Sequence, residues 1–99
     1  VAVFFVVDIK EITDPETYAE YRKGVAATLE PYHGEFLVRG GSLEVLEGEW
    51  ETQRFVIITF PDEEHFKGWY YSPEYTALRQ MRISASTGRA ILAQGVQAS

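Results

Sequence analysis

The chain has 99 residues without a cysteine, a formal net charge of −6, and a composition 45% hydrophobic and 14% aromatic. That length suits a single domain, residues 1–99, sharing one core, and the composition is that of a folded chain rather than a disordered one. The acidity opposes binding to a nucleic-acid backbone, which needs Lys and Arg to displace counterions, and the lack of thiols excludes disulfides and cysteine-ligated metals and fits a reducing cytoplasm.

The opening run Val1 to Val7 is too short to cross a bilayer and has no basic leader, so it reads as a strand. From Ala2 to Glu11 both alternating sets begin apolar, with Val3, Phe5, Val7 and Ile9 on one side and Phe4 and Val6 on the other, so both faces should be covered. Asp14-Pro15-Glu16 supplies an N-cap, a proline suited to the first helical position and a first-turn acid. The helix that follows carries the stripe Tyr18, Tyr21, Val25, Leu29 and Tyr32 and is expected to end at Gly34. Glu35 to Leu46 reads as strand interrupted at Gly40-Gly41, and the polar stretch Gly48 to Gln53 reads as a turn.

Phe55 to Phe60 is again apolar on both sides and predicts a second interior strand. Pro61-Asp62-Glu63-Glu64 caps a short helix bearing Phe66, Trp69 and Tyr70 on one face. Ser72-Pro73-Glu74 repeats the cap-and-proline signal and starts another helix, on which Tyr75, Leu78 and Met81 or Arg82 fall together. After Gly88, the run Ala90 to Val96 predicts the last strand.

This order, βαββαβ with the second helix split in two, is the ferredoxin-like α+β arrangement with a four-stranded antiparallel sheet. Its first and third strands lie in the middle of the sheet, and those are the two runs that are apolar on both faces. The helices cover only one face, leaving Phe4, Val6 and one set from Phe55 to Phe60 on the other, too large an apolar patch for water. Burial at ~25 cal/mol per Å² drives association after its entropy cost, so a homodimer packed sheet face to sheet face is expected. The competing reading is a groove partly lined by one of those sets.

Gly34-Glu35-Phe36-Leu37-Val38-Arg39-Gly40-Gly41, Leu46-Glu47-Gly48-Glu49-Trp50, Arg54, Phe60-Pro61 and Trp69-Tyr70-Tyr71-Ser72-Pro73-Glu74-Tyr75 together resemble the bacterial family called domain of unknown function 1330, within the dimeric α/β-barrel superfamily. The resemblance spans nearly the whole chain and implies a ferredoxin-like protomer whose sheet packs on that of its mate. Glu35 departs from the family, which often has a basic residue there. The resemblance brings no reaction, since its superfamily includes cofactor-free monooxygenases, lactone isomerases, haem-using enzymes and ligand sensors.

Arg39, late in a strand and before two glycines, is placed to project into a cleft and pair with a carboxylate or enolate; the alternative is a structural ion pair with one of the 15 acidic residues. Gly40 and Gly41 either bend the strand or let a ligand approach the backbone. His33 reads as a general base or as a partner for helix-end carbonyls. His65 follows three acids but has no second ligand at a spacing of four, so no metal site is expected. Tyr18, Tyr21, Trp69, Tyr70 and Tyr75 read chiefly as core, and the same residues suit the wall of a pocket for a small aromatic ligand. Arg79, Arg82 and Arg89 read either as a cluster near the end of the last helix that makes a local positive spot or, in preference, as favourable charge at a helix C-terminus.

The chain has no phosphate loop, serine elbow or paired-histidine motif, which disfavours kinases, classical hydrolases and zinc proteases. No cofactor is called for. The expectation is a cytoplasmic homodimer that binds a small molecule, or a cofactor-independent monooxygenase- or isomerase-like enzyme, with Arg39 holding an anion, His33 or a tyrosine moving a proton, and Tyr18, Tyr21, Trp69 and Tyr70 lining the pocket. A noncatalytic sensor, stress or dimerisation domain is the rival. A cleft where Arg39, His33 and a phenol converge favours the enzyme.

Overall fold

The structure, a computed structural model, describes residues 1–97. Its elements are β1 (Val3–Ile12), α1 (Pro15–Leu29), a 3₁₀ turn (Glu30–Tyr32), β2 (Glu35–Arg39), β3 (Arg54–Phe60), α2 (Glu63–Tyr70), α3 (Pro73–Ala85) and β4 (Ser86–Gln94). The four strands form one antiparallel sheet in the order β2-β3-β1-β4, so the two doubly apolar runs are the central pair.

The caps act as their residue types dictate. Asp14 accepts the Thr17 backbone N–H at 3.2 Å and its hydroxyl at 2.8 Å, and Asp62 accepts the His65 N–H at 2.8 Å. Buried Ser72 accepts the Tyr75 N–H at 3.2 Å while donating to the Trp69 carbonyl at 2.7 Å, which fixes the break between α2 and α3. The stripe Tyr18, Tyr21, Val25 and Leu29 is buried as expected.

Three boundaries differ from the sequence reading. The first helix gives way to the 3₁₀ turn, and His33, not Gly34, takes the left-handed conformation at φ 59°, its N–H returning to the Glu30 carbonyl at 3.1 Å. Gly34 is needed for space, because a Cβ there would press on Phe60 and Leu29. β2 stops at Arg39; Gly40 turns at φ 68° and the chain to Gln53 forms a long arm instead of continued strand. β4 begins at Ser86, directly after α3, because its ladder with β1 already starts with Ile12 opposite Ser86.

Register divides the strands between two faces. Val3, Phe5, Val7 and Ile9 of β1 lie under the helices beside Phe60, Ile58, Val56 and Arg54 of β3. Phe4, Val6 and Asp8 face the other way, beside Thr59, Ile57 and Phe55. The molecule is correspondingly flat, 40 × 37 × 17 Å, with a single helical layer.

Aromatic rings fill the core on the helix side. Trp69 and Tyr75 are fully buried and stack at 3.8 Å between ring centroids, and the Trp69 indole donates to the Thr28 hydroxyl at 2.9 Å. Phe5, Phe60 and Phe66 surround Trp69 at 5.2 to 6.1 Å. Trp69→Ala leaves a cavity the size of an indole and is expected to lower stability by about 3–5 kcal/mol, measured by urea unfolding, with Trp69→Phe losing less.

Candidate functional site

Arg39 owes its position to an irregularity. The pairing of β2 with β3 shifts between Phe36 and Val38, so that Phe36 pairs with Ile58, Val38 with Ile57 and Arg39 with Val56. A regular strand would have sent Arg39 to the helix-free face; the extra residue returns it to the side under α1. There its guanidinium donates to the Arg22 carbonyl at 3.0 Å and lies 4.2 Å over the Phe36 ring.

Arg54 reaches the same place from the start of β3. The space it takes is the space of a missing side chain, since a Cβ on Gly40 would collide with the Arg54 guanidinium. Gly41 has nothing near it, so the two glycines have separate roles. Arg82, projecting from α3, is buried among the phenols of Tyr75 and Tyr21, whose hydroxyls are 2.9 Å apart.

These groups surround a narrow slot of about 20 Å³, room for one water, lined chiefly by Tyr18, Tyr21, Phe36, Arg39, Arg54 and Arg82. It adjoins an open cleft of about 490 Å³ formed by Ala19, Arg22, Lys23, Arg39 and Arg54. Among the described residues no carboxylate lies within ion-pairing distance of Arg22, Arg39, Arg54 or Arg82, and the buried Nε atoms of Arg54 and Arg82 have no hydrogen-bond partner.

Burial pushes the Tyr18 phenol above its ordinary pKa, with the adjacent Arg54 charge opposing the shift. Burial and then the Tyr75 hydroxyl push Tyr21 well above it. Burial, reinforced by the charges of Arg22 and Arg39, pushes Arg54 down, although a guanidinium stays charged at neutral pH. The slot therefore presents neutral phenol donors and fixed positive charge, an environment for an anionic oxygen.

The remaining predicted site residues lie elsewhere. His33 is exposed and borders a different cleft with Glu30 and Glu35; its ring meets that of His65 edge-on at 5.3 Å, and Asp62 holds His65 at 2.7 Å. His33 and Arg39 thus share no cavity. No group of three or more potential metal ligands occurs among the described residues. Trp69 and Tyr70 belong to the core and do not line the slot.

Arg79, Arg82 and Arg89 do not gather. Arg79 lies 4.4 Å over the Tyr70 ring, Arg82 is in the slot, and Arg89 approaches Asp8 at 3.5 Å on the opposite face of the sheet. Sequence reasoning missed Arg22 and Arg54 as site residues. The signal for Arg54 was present: it shares the parity of Val56, Ile58 and Phe60, so it is a cation on the buried register of an apolar strand.

Sheet order and helix layer define a ferredoxin-like α+β protein with arginines and tyrosines gathered between α1 and the sheet. Residues 2–96 match the family described as domain of unknown function (DUF1330), and the chain belongs to it. No curated protein matches it significantly.

Solved structures share the fold at low identity. A protein of unknown function from Rhodopseudomonas palustris has a TM-score of 0.78 and 16% identity, covering 98% of this chain and 84% of that one. A dimeric ferredoxin-like protein of unknown function from Jannaschia sp. CCS1 has a TM-score of 0.76 and 13% identity, covering 96% and 100%. SnoaB, a cofactor-independent oxygenase from Streptomyces nogalater, has a TM-score of 0.65 and 18% identity, covering 98% and 95%.

The raised phenols give a pH prediction with a definite sign. A folded pKa above the ordinary 10.0 means that the stability contributed by Tyr18 and Tyr21 is complete below pH 10 and is lost as pH rises through the folded values. Absorbance titration is expected to show Tyr18 and Tyr21 ionising late, together with unfolding; Tyr21→Phe should remove one late component.

Proposed function

We propose that this protein is a cytoplasmic homodimer that binds a small acidic or aromatic molecule between α1 and the sheet. The observation that carries the binding reading is the set of arginines without carboxylate partners, two with unpaired buried Nε atoms, facing a slot and cleft that open to solvent. An acid group supplies the missing partner, and the tyrosine faces suit an aromatic or unsaturated body.

Dimerisation through the helix-free sheet face is supported by that face and by the arm. Phe4, Val6, Val38, Phe55 and Ile57 form a continuous half-buried apolar surface, and Ile91 is 63% exposed. Leu43, Val45, Leu46 and Trp50 of the arm are also exposed, Leu46 by 81%. A two-fold partner covers both at once. The Jannaschia relative is described as dimeric, which agrees with this reading.

Binding is favoured over catalysis by the absence of His33 from the slot, where the tyrosines are proton donors and no base stands beside them. For an enolisable acid the arginines also stabilise the enolate, which extends the binding role towards cofactor-independent chemistry of the kind named for SnoaB.

Thermal unfolding in the presence of small carboxylic acids and phenols tests the site. A ligand at ten times its Kd is expected to raise Tm by about 7 °C in the native protein and by none in Arg39→Ala or Arg54→Ala; equal shifts in these variants would place the ligand elsewhere. Light scattering tests the assembly: the native chain should have twice the protomer mass, and Ile57→Lys, which puts a charge in the sheet face, should be monomeric at micromolar concentration.

A further inference from the structure

The slot and the outer cleft are two separate demands for negative charge, and one anionic group cannot meet both. Arg82 is buried inside, its Nε unpaired among the described residues, with the phenols of Tyr75 and Tyr21 beside it. Arg22 and Lys23 are outside, on the exposed surface of α1, and they line the cleft but only Arg22 also borders the slot. Arg39 and Arg54 belong to both.

Five of the nine Lys and Arg residues of an acidic protein are gathered here, and among the described residues only Lys23 of these five has a carboxylate neighbour, Glu20 at 3.4 Å. A monoanion seated in the slot leaves the outer cations repelling one another. One seated outside leaves the Arg82 guanidinium buried and uncompensated, the more costly arrangement in a low-dielectric interior.

We propose that the ligand of this site is a small dianion, in its simplest form a dicarboxylate. One carboxylate occupies the slot against Arg54, Arg82 and the hydroxyls of Tyr18 and Tyr21; the other lies in the cleft against Arg22, Lys23 and Arg39. This rests on the binding reading above and adds to it the charge and shape of the ligand. The slot of about 20 Å³ has room for one water-sized atom, so a single oxygen of the leading carboxylate enters it and the rest of that group lies at its mouth.

Calorimetric titration at low salt with succinate, phthalate, acetate and benzoate separates the possibilities. The dicarboxylates are expected to bind at least about tenfold more tightly than the monoacid of the same body, phthalate against benzoate and succinate against acetate. The double variant Arg22→Ala/Lys23→Ala, altered only on the exposed face of α1 and leaving Arg39 in the cleft, should lower the phthalate preference over benzoate severalfold. Equal affinities in the native protein, or a phthalate preference undiminished in the double variant, overturns the dianion while leaving the binding site standing. No heat with any of the acids overturns the binding reading itself, and the dianion with it.

Discussion

A strand offers its side chains to two faces in turn, and this sheet has helices for only one. That constraint sorts nearly every residue of consequence. Val3, Phe5, Val7, Val56, Ile58 and Phe60 go under α1, α2 and α3 and become core, while Phe4, Val6, Phe55 and Ile57 are left facing outward, apolar and only half-buried. The same division makes a polar residue on the helix side conspicuous. Arg39 and Arg54 are such residues on the strands, and Arg82 meets them from α3.

The outward face carries one charged residue at its centre that the constraint also explains. Asp8 is buried although its strand turns it away from the helices, because Trp50 folds back from the arm and donates to it at 3.0 Å, with Arg89 alongside at 3.5 Å. Trp50 also meets Phe55 edge-on at 5.9 Å. The arm is therefore anchored at its far end by a hydrogen bond to the sheet face, while Leu43, Val45 and Leu46 before it remain in water.

Strand and helix order were legible because each rests on a short-range signal: doubly apolar runs for β1 and β3, an Asp or Ser cap at the start of each helix, and a proline at the first helical position of α1 and α3. Arg39 was legible as a residue and not as a position. Its face depends on one extra residue in β2, and nothing in the alternation of Phe36-Leu37-Val38 shows where the pairing with β3 slips. Helical spacing leaves the stripe of the last helix open between Met81 and Arg82, and it does not say that Arg82 meets Tyr21 and Tyr75. His33 is the opposite case: its pKa class drew attention, while its geometry is that of a helix end.

Two unpaired buried guanidinium Nε atoms are an unusual defect in so small a core. An unsatisfied buried donor costs on the order of 1–3 kcal/mol, more for a charged group, against a total stability of about 5–15 kcal/mol for a domain. Elsewhere the helix-side interior obeys its local rules: Trp69 and Tyr21 have hydroxyl partners, Ser72 caps α3, and the strand positions are apolar. A folding requirement would be met more cheaply by an apolar side chain at Arg82, since Leu or Met fills a helix stripe without a charge to compensate. Asp8 Oδ1 on the other face is also buried and unpaired among the described residues, but on the helix side the two exceptions converge on a single opening to solvent, where a charge-compensating partner would relieve the burden they place on folding.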